Sequence, residues 1–323
     1  MDIYQKKAKI IDGLETFTDK EKYWGEVVES KMKNYINQIE KNGFSVFKSA
    51  LFEEDRSLYD FIFNQARADW RFCLPIKDNW QVLDIGAGLG ANTFAIAQEV
   101  SEVHALEQSF LRVKFLELRK KEEKQDNIHV AVANALDFPF KDNVFDLVIA
   151  NGLFEWIGVT DKFKSVRDAQ KNFLKDSLRV LKNDGYLYIG IENRFAVSYL
   201  FGGKDHSGLK FTSLMPRVIA NLYTKIRTGK EYRTYTYSKS GYERILNEAG
   251  FKNIKFYLVF PGYNFPKYII PYEHINGIKF VFGKIVGGNS WRRRLMKKII
   301  KFPLVARIWR FSFFSFAIFA QKI

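Results

Sequence analysis

The chain has a single cysteine, Cys73, so no internal disulfide can form, which suits a reducing, cytoplasmic setting. Its four histidines, His104, His129, His206 and His274, show no ligand spacing in sequence, and no metal is expected from them. Met1 to Lys7 lacks an apolar segment, so no secretory signal is expected. No uninterrupted apolar run reaches the length of a bilayer span; the longest, Phe311 to Ala320, is short and contains serines. No RNA-binding module is recognisable, which disfavours nucleic acid as a partner. Acidic residues are absent after Glu273. Beyond it stand Lys279, Lys284, Arg292, Arg293, Arg294, Lys297, Lys298, Lys301, Arg307, Arg310 and Lys322. Much of the formal net charge of +15 is therefore local, and it points to an anionic surface as partner.

An apolar content of 47% in 323 residues allows a sizeable core and one or two domains. The chain is organised around Gln81-Val82-Leu83-Asp84-Ile85-Gly86-Ala87-Gly88-Leu89-Gly90-Ala91. A strand, a glycine turn and a helix start open a nucleotide-binding α/β unit. Gly86-x-Gly88-x-x-Ala91 also meets the dinucleotide fingerprint, so the turn alone leaves NAD open. Asp84 favours another ligand. A carboxylate there sits poorly beside a pyrophosphate and well beside the ammonium and sulfonium of S-adenosylmethionine. Glu107 ends the next strand about twenty residues on, where such folds place an acid on the ribose hydroxyls, and Gln108 comes directly after it.

Residues 1–80 read as helical, without strand alternation. Tyr23, Trp24, Val27, Val28, Met32, Ile36 and Ile39 recur at helical spacing, as do Leu58, Phe61, Ile62 and Ala66. Asn42-Gly43 and Asp55 mark breaks. Such helices cover one sheet edge or form a lid. From Gln81 strands and helices alternate, which implies a parallel sheet. Strands are expected at 101–107, 127–132, 143–150 and 186–191, with helices at about 109–124, 162–181 and 239–249. The fourth strand ends at Asn151 and runs into Gly152-Leu153-Phe154-Glu155. The fifth delivers Glu192, Asn193 and Arg194 to the crevice at the carboxyl ends of the strands.

Asp84-Ile85-Gly86-Ala87-Gly88-Leu89-Gly90, Leu106-Glu107, Phe138-Pro139-Phe140, Phe145-Asp146-Leu147-Val148 and Arg179-Val180-Leu181-Lys182-Asn183-Asp184-Gly185 stand in consecutive order. Together they resemble the motifs of a class I S-adenosylmethionine-dependent methyltransferase. A narrower resemblance rests on Arg67-Ala68-Asp69-Trp70-Arg71, Asn151 to Trp156, Gly190 to Phe195, Asp205-His206-Ser207-Gly208, Thr234 to Ser238 and Pro261 to Pro266. These are similar to a bacterial group associated with surface-glycan assembly. The resemblance implies a Rossmann-like sheet of seven strands, mostly parallel with the last antiparallel. It further implies an N-terminal helical cap at 1–80 and a domain at 81–323 with insertions at about 195–236 and 260–311. Phe251 to Leu258 becomes the sixth strand and Ser315 to Lys322 the seventh, whose apolar run then reflects burial on both faces. Cofactor contacts are implied for Asp84, Gly86, Ala87, Gly88, Gly90, Glu107, Gln108, Asn134, Ala135 and Asn151. Asn134 stands where the family has an adenine-facing acid. The implied acceptor is a sugar hydroxyl of a glycan or its lipid-linked precursor; the alternatives are methylation of RNA or protein, or a non-catalytic cofactor-binding, membrane-associated partner of a glycosyltransferase.

Methyl transfer is an in-line displacement for which the protein supplies alignment, water exclusion and, for a hydroxyl, a base. His206 is the expected base, held by Asp205; Glu155, Glu192 and Arg194 are expected to meet the acceptor. Trp291, Leu295, Ile299 and Phe302 fall near one helical face among Arg292, Arg293, Lys297, Lys298 and Lys301. After Pro303, Leu304, Val305, Ile308 and Trp309 resume an apolar stripe beside Arg307 and Arg310. A basic amphipathic segment over 291–310 is expected to lie on an anionic membrane surface.

Overall fold

The computed structural model describes residues 3–18, 26–159, 165–285, 298–299 and 302–323. The chain divides into two compact units. One comprises Met1–Asn151, Asn172–Tyr188 and Lys322–Ile323, the other Gly152–Lys171 and Ile189–Gln321.

The first unit begins with a hairpin, β1 (Lys9–Ile11) and β2 (Leu14–Thr16). Helices come next: α1 (Glu29–Asn42), α2 (Phe44–Glu54), α3 (Arg56–Phe63) and a 3₁₀ helix, Gln65–Cys73. Then come β3 (Gln81–Ile85), α4 (Ala91–Ile96), β4 (Glu102–Glu107), α5 (Phe110–Glu123), β5 (Ile128–Val132) and β6 (Phe145–Asn151). Helix α6 (Val166–Val180) leads directly into β7 (Leu181–Glu192). Strand order here is β1-β2-β5-β4-β3-β6-β7. The pairs β2–β5, β4–β5, β3–β4 and β3–β6 are parallel. Val82, Leu83, Val103, Ala105, Leu147, Val148 and Ile149 are all buried, as a sheet covered on both faces requires. The helical reading of the N-terminal part holds for α1 to α3 and fails at the hairpin. Val27, Met32, Ile36, Ile39, Phe44, Phe47, Leu51 and Ile62 form one apolar cluster with Phe115 of α5 and Leu89. Gly43 and Asp55 separate these helices, and Asp55 caps α3 by accepting the Leu58 N–H at 3.0 Å. Tyr23 and Trp24 lie outside the described residues.

The second unit carries α7 (Val197–Leu200), α8 (Arg217–Thr228), α9 (Lys239–Ala249), β8 (Lys252–Phe260), β9 (Tyr268–Pro271), α10 (Ile275–Ile285), a helix at Pro303–Trp309 and β10 (Ser315–Gln321). Its strand order is β7-β10-β8-β9, and β10 runs antiparallel to β8. Phe316 to Ala320 are buried, so the apolar run near the end of the chain is a core strand. Among the described residues no helix is long and apolar enough to cross a membrane.

Ten strands, rather than the expected seven, make up the sheet order. The additions are β1, β2 and β9, each of three or four residues, too short to show a period of two. Asp12-Gly13 joins β1 to β2 with φ of 46° and 80°, the two positive values a two-residue hairpin turn needs. This dipeptide is the readable signal of the hairpin.

Candidate active site

After β3 the chain turns through Gly86, Ala87 and Gly88 to Gly90, the N-cap of α4. The three glycines have φ of 68°, 60° and 87°, which side chains enter only at a cost. Their needs differ. A Cβ on Gly90 would lie 2.6 Å from Leu116 and 2.8 Å from Phe94, so packing excludes it. A Cβ on Gly88 would meet nothing nearer than Arg112 Nη1 at 3.5 Å. Beyond its φ, then, protein packing does not require a glycine at 88, and its backbone is open to approach.

Asp84 lies under this turn, 2% exposed, and accepts a hydrogen bond from Thr93 Oγ1 at 2.6 Å. Burial is the main reason its pKa rises to about 6; the Thr93 bond opposes the rise, the Glu107 charge adds to it, and Arg67 opposes it. Glu107 ends β4 with both oxygens engaged. Oε2 accepts the Gly88 N–H at 3.1 Å, while Oε1 accepts the N–H groups of Gln108 and Ser109 at 2.8 and 3.0 Å. Arg112 Nη1 stands 3.7 Å from Oε2. One carboxylate thus ties the glycine turn to the start of α5. A carboxylate has about four acceptor positions, so one remains for a ribose hydroxyl.

Asn134 Oδ1 accepts the Leu136 N–H at 2.8 Å, a local turn in which Ala135 is half-buried. One of the two acceptor positions of its oxygen is used there, which leaves the NH₂ and a second lone pair for a further contact. Asn151, the last residue of β6, accepts the Tyr188 hydroxyl at 3.0 Å, but its Nδ2 is buried without a hydrogen-bond partner. Tyr188 stacks on Trp70 with ring centroids 3.8 Å apart, and the Trp70 indole N–H donates to Asn92 at 2.9 Å. Sequence reasoning assigns no role to Tyr188, Asn92 or Thr93, whose strand and helix contexts read as ordinary core. The open backbone at Gly88 and the orphaned Asn151 amide fit a nucleoside cofactor.

In the second unit, Glu155 sits in a 3₁₀ helix, Phe154–Val159, with no exposed surface. Glu192 ends β7, and His206 lies in the loop between α7 and α8. Three of the four expected acceptor-side residues come together here. His206 Nε2 is 3.2 Å from Glu192 Oε2 and 3.7 Å from Glu155 Oε1. These are ionic contacts rather than directed hydrogen bonds, since His206 Nε2, Glu192 Oε2 and Glu155 Oε2 all lack a hydrogen-bond partner. The Tyr263 hydroxyl donates to Glu155 Oε1 at 3.4 Å, and the Trp156 and His206 rings meet edge-on at 4.8 Å. A Cβ on Gly152 would stand 2.9 Å from the Tyr263 ring, so this glycine makes room for the tyrosine. In sequence only the Pro261–Pro266 motif marks Tyr263, and nothing there gives it a role.

The structure corrects two expectations. Asp205 does not hold His206: its carboxylate accepts from the Ser207 N–H and hydroxyl at 2.8 and 2.5 Å and from Tyr232 at 3.2 Å. An Asp two residues before an amide donor prefers that local turn. Arg194 is a clamp, donating to the carbonyls of Ser213 and Met215 at 2.6 Å each. Burial is the largest influence on His206 and disfavours its charge, yet Glu192, with Glu155 and Asp205 behind it, lifts its pKa to about 9. The neighbouring carboxylates thus favour the protonated imidazole, which works against the expected role as base. Burial and the Glu192 charge push Glu155 well above the carboxylate range, against the pull of His206.

Among the described residues two groups have the spacing of metal ligands in space: Glu102, His104 and His129, and Glu155, Glu192 and His206. Neither is legible in sequence, because each draws on separate strands or loops. In the first group the His104 and His129 rings stack at 4.6 Å, and His104 Nε2 is 3.4 Å from Glu102.

Residues 83–189 match a family described as Methyltransferase domain (Methyltransf_11). The chain is similar to the ubiquinone/menaquinone biosynthesis C-methyltransferase UbiE of Vibrio campbellii, 25% identical over 189 residues, covering 57% of this chain and 69% of the relative. It is similar to the malonyl-[acyl-carrier protein] O-methyltransferase of Geobacter sulfurreducens, 25% identical over 175 residues, 54% of this chain and 57% of the relative. A solved structure of phosphoethanolamine N-methyltransferase 2 from Haemonchus contortus with S-adenosyl-L-methionine aligns with a TM-score of 0.47 at 18% identity, covering 92% of this chain and 60% of that one. The domain match and the glycine cradle support a class I methyltransferase whose cofactor is S-adenosylmethionine. By name the Vibrio relative methylates at carbon and the Geobacter relative at oxygen, so the names do not define the acceptor.

Proposed function

We propose that this chain moves the methyl group of S-adenosylmethionine to a sugar hydroxyl of a bacterial surface glycan or its lipid-linked precursor. Residues of the first unit hold the cofactor, and residues of the second recognise the acceptor. The observation that carries the reading is the Glu155–Glu192–His206 cluster beside Trp156 and Tyr263. Carboxylates, an imidazole and aromatic edges are the groups that bind a sugar's hydroxyls and apolar faces. The narrower motif resemblance supports the same acceptor. In the transfer the C–S bond breaks with its electron pair left on sulfur, the C–O bond forms, and the hydroxyl proton passes to water. The protein contributes alignment and a polar site for that hydroxyl. The test is product mass analysis after incubating the chain and labelled cofactor with separated glycan, lipid, RNA and protein fractions. Label is expected in the glycan or lipid-linked glycan; label confined to RNA or protein overturns the acceptor.

On the same reading the protein works at the inner face of the cell membrane, on an anionic bilayer. Part of the 291–310 segment, Trp291 to Lys297 with Ile300 and Lys301, lies outside the described residues. The neighbouring stretch from Phe302 onward supports the contact, since Phe302, Leu304, Ile308 and Phe311 are exposed beside Arg307. Helix α8 adds a surface that sequence reasoning does not find. Its small residues Ala220 and Thr224 are buried, while Val218, Ile219, Leu222 and Ile226 are exposed, Val218 by 83%. This helix turns its apolar stripe outward with Lys225 and Arg227 exposed around it, the reverse of a core-packed amphipathic helix.

A further inference from the structure

We propose that Glu155, Glu192 and His206 form a binding site for one divalent first-row transition cation. Three potential ligand groups converge from a 3₁₀ helix, a strand end and a loop, with ligand atoms all within 4.8 Å of one another. The contacts of 3.2 and 3.7 Å to His206 Nε2 are close to the separations that a metal imposes. Ligands at roughly 2.0–2.2 Å from one ion stand about 3–3.6 Å apart.

Convergence alone does not make a site, and the second observation is the state of the atoms. Glu155 is fully buried, and its Oε2 has no hydrogen-bond partner. Glu192 Oε2 and His206 Nε2 are likewise buried and unpartnered. Leaving such an atom unsatisfied costs about 1–3 kcal/mol, more when it is charged; Glu155 Oε2 is in that state, and the Glu192–His206 contact at 3.2 Å lacks the direction of a hydrogen bond. A cation answers all three at once, as no single hydrogen-bond donor can. The surroundings fit. Tyr263 donates to Glu155 Oε1 at 3.4 Å and orients that carboxylate from outside the ligand set. Two carboxylates and one imidazole suit Mn²⁺ or Zn²⁺, and three protein ligands leave open positions. The site stands on this geometry; its role rests on the proposed methyl transfer. There the cation would hold the acceptor oxygen and ease loss of its proton to water.

The test uses the full chain stripped with chelator and dialysed, then titrated calorimetrically with Mn²⁺ and with Zn²⁺ in the absence of cofactor and acceptor. One equivalent is expected to bind, with affinity reduced about tenfold or more in Glu155→Gln and His206→Gln, and unchanged in His104→Gln. S-adenosylmethionine titration of each variant checks that it is folded. Should Glu155→Gln fail to fold, Glu192→Gln, at a partly exposed position, replaces it. Absence of binding by either ion, or binding lost in His104→Gln and kept in His206→Gln, overturns the site. The function fails separately: a chain that binds the cation but methylates no glycan keeps the site and loses the proposed acceptor. Full methyl transfer in excess chelator leaves the acceptor reading intact and overturns the cation's role.

Discussion

The glycine cradle of the first unit and the acidic cluster of the second are both polar and largely buried, yet they are finished to different degrees. In the cradle the protein supplies nearly every partner: Glu107 accepts three backbone amides and Asp84 is tied to Thr93. In the cluster three neighbouring polar atoms are left without one. The first arrangement is set before its ligand arrives. The second keeps buried polar groups in place without directed hydrogen bonds, as the proposed cation would use them. A methyltransferase scaffold can keep the cofactor side constant and vary the acceptor side, as the differing acceptor atoms in the relatives' names illustrate.

Substitutions in the cradle test how far it is finished. The largest effect is expected at Gly90→Val, where a strained φ and contacts under 3 Å combine. A loss of about 2–5 kcal/mol in denaturant unfolding is expected. Gly88→Val, in open space, is expected to keep most stability but weaken S-adenosylmethionine binding by roughly tenfold or more, about 1.4 kcal/mol. Equal affinity for wild type and Gly88→Val in calorimetry would remove the turn from the cofactor site. Glu107→Ala comes next: it releases the amides of Gly88, Gln108 and Ser109 and removes the carboxylate proposed to meet the ribose, so affinity and some stability are expected to fall together.

A smaller effect distinguishes Asp84 by its pH dependence. Its folded pKa of about 6 lies above the ordinary aspartate value of 3.8, so the folded state favours the protonated form. Its contribution to stability is therefore fully present below about pH 4 and is lost as pH rises through 6. The ligand-free chain is expected to gain about 1 kcal/mol from this group between pH 7 and pH 5. Binding of the cationic cofactor, which needs the ionised carboxylate, is expected to weaken over the same interval. Asp84→Asn should flatten both trends; unchanged pH profiles in that variant would assign them to other groups.

A separate comparison concerns α8 and the basic residues 292–298. Binding to anionic vesicles should weaken with salt, fall when Arg292, Arg293, Arg294, Lys297 and Lys298 become Gln, and fall again with Val218→Ser and Leu222→Ser. Each cation contributes roughly 1 kcal/mol near such a surface. Flotation in which the wild-type chain stays in the soluble fraction at low salt would leave α8 and the basic tail to another partner.

The features legible in the order of residues are those that local chemistry encodes. The glycine turn, Asp84 and Glu107 lie within one strand–helix–strand unit, where spacing along the chain is spacing in space. Helix α9 keeps to its apolar period, while Phe316 to Ala320 reads as a buried strand only through the family resemblance. The β1–β2 hairpin is legible in Asp12-Gly13 and is hidden only by the shortness of its strands. The partners of the acceptor-side residues, by contrast, are settled by folding. Asp205 is next to His206 in the chain, but a short carboxylate prefers its own turn, and Glu192 and Glu155 reach the imidazole from 14 and 51 positions away. Folding likewise makes Arg194 a clamp on carbonyls and turns the apolar side of α8 to solvent. Periodicity reveals that a helix has two faces; which face is covered depends on what packs against it, and that is a property of the folded chain.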